Sequence, residues 1–173
     1  MKLQGCLTAL ITPFKDGLVD ENALRRLIRA QLRSGVSGLV PCGSTGEAAT
    51  LSAEEFRHVV AVTLEEARGR VSVIPGIATN STEKAVELAR AAEALGADAL
   101  LVLTPYYNKP TQDGLFLHFS AVAGAAKVPI VAYNIPGRTG VNLLPATLTR
   151  LLPVSVTTGD RGRLVLEVNC GHG

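Results

Sequence analysis

The sequence has no tryptophan, few aromatic residues and only three cysteines. Aromatic residues make up 4% of the 173 positions and hydrophobic residues 47%, so any core must be aliphatic. The cysteines, Cys6, Cys42 and Cys170, are odd in number and far apart. Because they form no C-x-x-C pair, they support neither a disulfide framework nor a zinc site.

Charge of either sign is also sparse, and long apolar runs are missing. Lysine and arginine total 17 against 15 acidic residues, which leaves a net charge of +2. This is not the excess of positive charge that is typical of nucleic-acid-binding proteins. No stretch approaches the roughly 20 apolar residues that cross a bilayer. The first residues lack the pattern of a signal peptide. We therefore expect a cytoplasmic protein with no nucleic-acid or membrane partner.

Short apolar runs alternate with amphipathic segments along most of the chain. The runs start near residues 6, 37, 71, 98 and 129, at steps typical of one strand, one helix and their loops. In the first amphipathic segment, Leu24, Leu27 and Ile28 recur at helical spacing. Five such units predict a parallel sheet covered by helices.

The predicted elements have these bounds. Strands are expected over 6–11, 37–40, 71–74, 98–103 and 128–133, and helices over 20–34, 80–95, 112–127 and 143–152, with a further helix opened by a Ser52–Glu55 capping box. The third strand is expected to close at Pro75-Gly76. Asn80, with Glu83 three residues later, is expected to start the helix that follows.

Two α/β architectures compete for this pattern, a doubly wound sheet and a (β/α)8 barrel. No G-x-G-x-x-G follows the first strand, so the sequence lacks the motif that indicates a dinucleotide-binding fold. Polar and glycine-rich segments follow the strands instead, as at the carboxyl-terminal face of a barrel. A whole barrel needs about 250 residues. We therefore predict that residues 1–152 form about five βα units of an incomplete barrel.

The repeat stops after Leu152. Residues 153–173 include Thr-Thr-Gly-Asp-Arg-Gly-Arg at 157–163 and have no amphipathic helix pattern. A hairpin around the Gly-Asp-Arg-Gly turn fits this composition. We interpret the segment as an atypical tail, the expected sign of a frameshift or a truncated gene product.

Four segments that follow strands hold the polar groups. The segment 76–80 is expected to shape the pocket wall and cap the next helix, and the other three carry the candidate chemistry. They are Gly-Ser-Thr-Gly-Glu at 43–47, Thr-Pro-Tyr-Tyr-Asn-Lys-Pro at 104–110 and Tyr-Asn-Ile-Pro-Gly-Arg-Thr-Gly at 133–140. The first could hold a carboxylate on backbone N–H groups or be an ordinary βα loop. Phenols can pass protons, and a guanidinium can grip a carboxylate. His58 and His118 fall within helices, so we interpret them as surface or packing residues, and no cluster has metal-ligand spacing.

Together, the three motifs resemble the dihydrodipicolinate synthase and N-acetylneuraminate lyase family of pyruvate-dependent class I aldolases, from about Leu7 to Leu152. The resemblance implies a (β/α)8 barrel, usually a homotetramer built from tight dimers, that works without a cofactor. It also implies the condensation of pyruvate with aspartate semialdehyde through a lysine Schiff base, on the way to diaminopimelate and lysine.

The resemblance also implies a role for each site residue. Thr45 would bind the pyruvate carboxylate, and Ser44 would take part in a proton relay. Tyr133 would donate and accept a proton near the Schiff base. Tyr107 would complete the relay in the neighbouring subunit's site, and Arg138 would hold the carboxylate of the semialdehyde.

The chain departs from the family at the nucleophile. A lysine is expected near residue 160, where this sequence has Gly-Asp-Arg-Gly at 159–162. An arginine guanidinium stays protonated and cannot form an imine. Lys15 and Lys109 follow strands, but the relay residues would not be aimed at them. We therefore expect no Schiff-base lysine and no activity of the chain alone. The alternatives are another pyruvate-dependent aldolase or lyase of this family, and a non-catalytic binding or regulatory half-barrel.

Overall fold

The structure is a computed structural model that describes residues 4–152 and the backbone of one further strand at 164–169. The strands in these ranges are β1 (Leu7–Ala9), β2 (Phe14–Lys15), β3 (Leu18–Val19), β4 (Gly38–Val40), β5 (Ser72–Val73), β6 (Gly76–Ile77), β7 (Leu100–Leu103), β8 (Ile130–Asn134) and β9 (Leu164–Asn169). The helices are α1 (Glu21–Arg33), α2 (Ala53–Ala67), α3 (Thr82–Leu95), α4 (Gln112–Ala125), α5 (Pro136–Thr139) and α6 (Pro145–Leu151).

The parallel strands lie side by side in the order in which they occur in the chain. One run of pairs is β1-β4-β5 and the other is β6-β7-β8-β9, with every pair in both runs parallel. Each crossover therefore advances in the same direction, as in a barrel, whereas a doubly wound sheet reverses its order. The prediction of an incomplete barrel is confirmed over the doubly wound alternative.

β5 and β6 are two halves of one strand interrupted at a proline. Ile74 N donates to Leu39 O at 2.9 Å on one side, and Leu101 N donates to Pro75 O at 2.9 Å on the other. Pro75 has no N–H for the ladder, so the regular pairing breaks there. Gly76 N nevertheless donates to Pro41 O at 2.8 Å. The expected end of the strand at Pro75-Gly76 was therefore wrong, because the extended backbone continues past the proline.

The core between the sheet and the helices is aliphatic, as the composition predicts. Only two aromatic side chains, Phe56 and Phe119, belong to the main buried cluster of the described residues. The largest fully buried aliphatic side chains include Leu24, Ile28, Leu39, Ile77, Leu100 and Leu115. At about 25 cal/mol for each Å² of apolar surface buried, these contacts are the main favourable contribution to folding.

Several element bounds differ from the sequence prediction. β2 and β3 form an unpredicted antiparallel hairpin, and its turn residues Asp16 and Gly17 both have positive φ, 52° and 78°. An Asp-Gly pair favours this type I′ turn, so the signal was present in the sequence. Ser81, rather than Asn80, caps α3, because the Ser81 hydroxyl accepts a hydrogen bond from Lys84 N.

The final described helix is shorter than predicted. It was expected over 143–152, yet α6 spans Pro145–Leu151 because Leu143 N donates to Asn134 Oδ1 at 3.0 Å instead of joining the helix. The predicted hairpin around 159–162 lies outside the described residues. β9 runs parallel to β8 as the next strand of the arc.

Of the two histidines in the described residues, His118 is a packing residue and His58 a surface residue, as predicted. His118 is buried, and its Nδ1 lies 2.9 Å from Thr82 Oγ1, so it joins α4 to α3. Burial lowers the pKa of His118 to about 4. The ring is therefore neutral at pH 7. His58 is exposed, with its Nε2 3.2 Å from Glu21.

An ion network joins α1 to α2. Glu66 is buried, and its carboxylate accepts hydrogen bonds from Arg25 (2.8 Å) and Arg29 (2.7 and 2.8 Å). Arg25 also binds Glu21 and Glu65. Two arginines of α1, Arg25 and Arg29, are therefore held by acidic side chains.

We expect Glu66→Gln to lower the free energy of unfolding at pH 7 by about 1–2 kcal/mol, the range for hydrogen bonds to a charged group at a partly exposed site. The two guanidinium groups lower the pKa of Glu66 from 4.5 to about 2. Its stabilising contribution is therefore present above pH 4.5 and disappears as the pH falls towards 2.

Urea unfolding at several pH values checks this prediction. The difference between the native chain and the Glu66→Gln variant should shrink to nothing near pH 2. Glu54→Gln is the matched control, since Glu54 is exposed on the same helix. A pH-independent difference would show that Glu66 contributes by packing rather than by its charge.

Candidate active site at the carboxyl ends of the strands

A cavity of about 450 Å³ lies at the carboxyl ends of the parallel strands. Its polar lining includes Ser44, Glu47, Tyr106 and Arg138, each from a segment that follows a strand. The volume is within the range of small-molecule pockets. The three sequence motifs therefore meet at one place, although their residues lie far apart along the chain.

A 3-10 turn over Ser44–Gly46 presents the first motif. Gly46 N donates to Gly43 O at 3.0 Å, and the buried Thr12 hydroxyl donates to Gly46 O at 2.8 Å. The turn ends at Glu47, whose φ of 58° is left-handed. These bonds hold the Ser44 hydroxyl at the cavity wall.

Helix α5 carries Arg138, in a segment that was predicted as a glycine-rich loop. That prediction was wrong locally, since Pro136 starts a single helical turn that Gly140 ends at φ 71°. The buried Thr139 hydroxyl shares its one proton between the carbonyls of Ile135 (3.1 Å) and Val141 (3.0 Å). The backbone beside Arg138 is therefore fixed, while its side chain is exposed at the cavity.

The three tyrosines occupy different positions. Tyr133 and Tyr106 are half-buried and pack against the cluster of Ala78, Leu103 and Ile135 beneath the cavity. Tyr107 is 86% exposed and does not line the cavity. Its φ is 67°, and Asn108 N donates to Tyr106 O at 2.7 Å across it, which defines a tight γ-turn. This strained turn sends the two adjacent tyrosines in different directions.

Of the five residues proposed from the sequence, the structure brings Ser44 and Arg138 to the cavity wall and Tyr133 beside them. Thr45 and Tyr107 are exposed and do not line the cavity. Sequence reasoning missed Tyr106 and Glu47 as lining residues. The paired tyrosines were visible in the sequence, but which one faces the cavity depends on the backbone of the turn.

Cys42 directly precedes the first motif, but it is not a candidate nucleophile. The thiol is buried, and burial raises its pKa to about 12. A thiol in this state is inert. Within 4–152, no three His, Cys, Asp or Glu side chains group as metal ligands. None of the described helices combines the length and apolar character needed to cross a bilayer.

Similar proteins were found by sequence. The 4-hydroxy-tetrahydrodipicolinate synthase of Nitratidesulfovibrio vulgaris strain DP4 is 50% identical over 151 residues, which cover 87% of this chain and 52% of that protein. The synthase of Geotalea uraniireducens is 53% identical over 148 residues, 86% of this chain and 51% of that protein. The chain thus spans about half the length of the curated relatives it matches.

Solved structures give the same result. A chloride-inhibited dihydrodipicolinate synthase from Acinetobacter baumannii, complexed with pyruvate, superposes with a TM-score of 0.87 at 43% identity, covering 96% of this chain and 55% of that one. The 4-hydroxy-tetrahydrodipicolinate synthase of Methylacidiphilum fumariolicum SolV gives 0.86 at 45% identity, covering 88% and 51%. Residues 2–159 match the sequence pattern of one family. With the strand order and the three converging motifs, these matches establish that the chain belongs to the Dihydrodipicolinate synthetase family.

Proposed function

We propose that the chain carries the substrate-binding half of a cytoplasmic 4-hydroxy-tetrahydrodipicolinate synthase, which condenses pyruvate with aspartate semialdehyde. The observation that carries the proposal is the convergence of Ser44 and Arg138 on one cavity. Both substrates carry a carboxylate, which a guanidinium can bind through two parallel hydrogen bonds. The pyruvate in the Acinetobacter baumannii relative supports the same substrate class.

The proposed roles are those that the family resemblance implies, and the positions of Ser44 and Arg138 at the cavity wall support two of them. Arg138 at the cavity wall holds the carboxylate of the semialdehyde. Ser44 and Thr45, on one turn, provide the hydroxyl of the relay and the ligand of the pyruvate carboxylate. Tyr133, which packs against Ala78, Leu103 and Ile135 beside the cavity, donates and accepts the proton at the reacting carbon.

Tyr107 is proposed to act in a neighbouring subunit. Its side chain is 86% exposed, and its positive φ is strained for a bulky residue. Such strain is retained where function requires it. Tyr107 N is also bonded to Thr139 O at 3.4 Å, so the turn is anchored to the helix of Arg138. A homotetramer built from tight dimers would bury the phenol and bring it into the partner's site.

The covalent step requires a lysine that this sequence does not provide. No lysine follows Lys127, and none of the described lysines lines the candidate cavity. We therefore propose that the chain alone binds the substrates without turnover. Another pyruvate-dependent aldolase or lyase of the family remains the alternative reaction, and the half-barrel binding module remains the non-catalytic alternative.

Arg138→Ala tests the proposed carboxylate contact. Succinate semialdehyde stands in for aspartate semialdehyde in this test. We expect Arg138→Ala to weaken its binding about tenfold, the effect of losing one charge-assisted contact. The binding of pyruvate should change less than about twofold, because its carboxylate is assigned to Thr45. Amide chemical shifts in ¹H–¹⁵N NMR titrations measure both affinities, and the signals of residues 43–47 should respond to pyruvate.

Arg90→Ala is the control, because Arg90 is exposed on α3 away from the cavity. It should leave both affinities unchanged. If Arg138→Ala and Arg90→Ala weaken the binding of succinate semialdehyde equally, general charge attraction accounts for that binding and the proposed role of Arg138 is wrong. If the chemical shifts of residues 43–47 do not change when pyruvate is added, the proposed pyruvate site is wrong.

A further inference from the structure

A second cavity, of about 770 Å³, lies between the carboxyl ends of α1 and α2, and we call it the arginine pocket. Its lining residues are Arg29, Leu32, Arg33, Glu66, Arg68 and Arg70. In a parallel arc the carboxyl ends of the helices lie at the end where the strands begin. The pocket is therefore at the opposite end of the fold from the candidate active site, and none of the proposed roles uses it.

The arginine pocket holds four guanidinium groups against one carboxylate. That carboxylate, Glu66, is already occupied, because Oε1 accepts from Arg25 and Arg29 and Oε2 accepts from Arg29. It cannot neutralise the remaining arginines. The pocket therefore keeps a positive charge that the described protein groups do not balance.

Arg70 and Arg29 have structural partners, whereas Arg33 and Arg68 have none within the described part of the chain. Arg70 donates to the carbonyls of Glu66 (2.8 Å) and Ala67 (3.3 Å) at the end of α2. Neither Arg33 nor Arg68 makes a side-chain hydrogen bond or an ion pair to a described residue, and both are exposed.

A basic residue at a helix carboxyl end often serves only to offset the helix dipole. That explanation covers Arg70, which binds the last carbonyls of α2 directly. It also applies to Arg33, which lies in the last turn of α1. Neither Arg33 nor Arg68 donates to a described carbonyl, however, so the N–H groups of both side chains can bind a ligand. Like charges crowded into one cavity repel each other, and a bound anion would relieve that repulsion.

We propose that the arginine pocket binds the polyphosphate group of a small molecule. Guanidinium groups match phosphate oxygens with paired hydrogen bonds, and two unpaired groups favour an anion with more than one phosphoryl unit. Arg29, held in place by Glu66, forms a fixed side of the pocket. The volume exceeds the needs of a single phosphate and is typical of nucleotide-sized ligands.

The test is isothermal titration calorimetry of the full 173-residue chain with sodium tripolyphosphate. Saturable binding is expected, and the double variant R33A/R68A should weaken it at least about tenfold, because two charge-assisted contacts are lost. The variant R33K/R68K keeps the charge but loses the forked geometry, so it should also bind more weakly than the native chain. Neither of the two arginine side chains has a described partner, and their removal relieves repulsion, so the unfolding temperature of R33A/R68A without ligand should not fall below that of the native chain.

The matched control is R26A/R90A, which removes two exposed arginines outside the pocket and leaves the same net charge as R33A/R68A. It should bind tripolyphosphate as the native chain does. Equal weakening in both double variants would mean general electrostatic attraction and would overturn the proposal. So would an absence of saturable binding to the native chain.

Three further ligands identify the chemistry and the source of the phosphoryl groups. Citrate should bind more weakly than tripolyphosphate, and equal binding would overturn the phosphoryl assignment. Adenosine triphosphate should bind at least as tightly as tripolyphosphate, while adenosine alone should not bind. A clear gain for adenosine triphosphate would indicate a nucleotide source, and equal affinities would indicate recognition of the phosphates alone. Binding of adenosine with the same affinity would contradict the proposal.

Discussion

Treating the chain with pyruvate and then with sodium borohydride is expected to leave every lysine unmodified. The family's implied nucleophile would stand near residue 160, and the last lysine of this sequence is Lys127. Lys84 lines an adjacent cavity of about 330 Å³ that shares Tyr106 with the candidate site, and no described lysine lines the candidate site itself. An imine forms only where an amine reaches the bound carbonyl, so position decides the outcome.

Mass spectrometry of the reduced and digested chain measures this outcome. A full-length relative that carries the family's lysine, treated in parallel, should gain one reduced pyruvate adduct and so control for the chemistry. An adduct on Lys84 or Lys109 of this chain would identify a relocated nucleophile and contradict the prediction. Binding of pyruvate by NMR without an adduct is the result that the proposed function predicts.

Gly76→Ala is expected to lower the free energy of unfolding by more than about 3 kcal/mol, or to prevent folding altogether. A Cβ at Gly76 would lie 2.7 Å from Gly43 Cα and 2.8 Å from the carbonyl carbon of Cys42. These are backbone atoms of the turn that carries Ser44, so no rotamer change can relieve the clash. The same clash would displace Ser44 from the cavity.

Chemical denaturation measures the change, with Gly124→Ala as the matched control. Gly124 lies in the last turn of α4, and a Cβ there would meet nothing within 4 Å. Alanine favours the helix more than glycine does, so Gly124→Ala should be neutral or stabilise by up to about 1 kcal/mol. If Gly76→Ala behaves like Gly124→Ala, the close approach of strand and turn is not a constraint on the fold.

Elements with strong local signals were predicted correctly in place and type. The capping box at Ser52–Glu55 is present with both of its hydrogen bonds. Helix α1 follows its apolar spacing, with Leu24 and Ile28 fully buried. Errors arose where neighbouring segments outweigh local preference. Pro75 would end an isolated strand, but β4 and β7 pair with the backbone on both of its sides.

The sequence motifs predicted where the candidate site lies, and the structure changed which of their residues line it. Ser44 and Arg138 were expected at one face because both follow parallel strands, and both line the cavity. Tyr106 and Tyr107 are the same residue type at adjacent positions, so the sequence does not show which of them faces the cavity. Only the γ-turn at Tyr107 decides that Tyr106 faces the cavity and Tyr107 faces solvent. A positive φ at a tyrosine is held by tertiary contacts, so no local rule predicts it.

By itself, the sequence determined the class of the fold, the aliphatic core and the family, because strand and helix periods, composition and ordered motifs are local properties of the chain. Only the tertiary structure decided what depends on contacts between distant residues. The burial of Glu66 between two arginines and the close approach of Gly76 to Gly43 join segments that are far apart in the chain. The arginine pocket arises in the same way, because Arg33 and Arg68 meet only when α1 packs on α2.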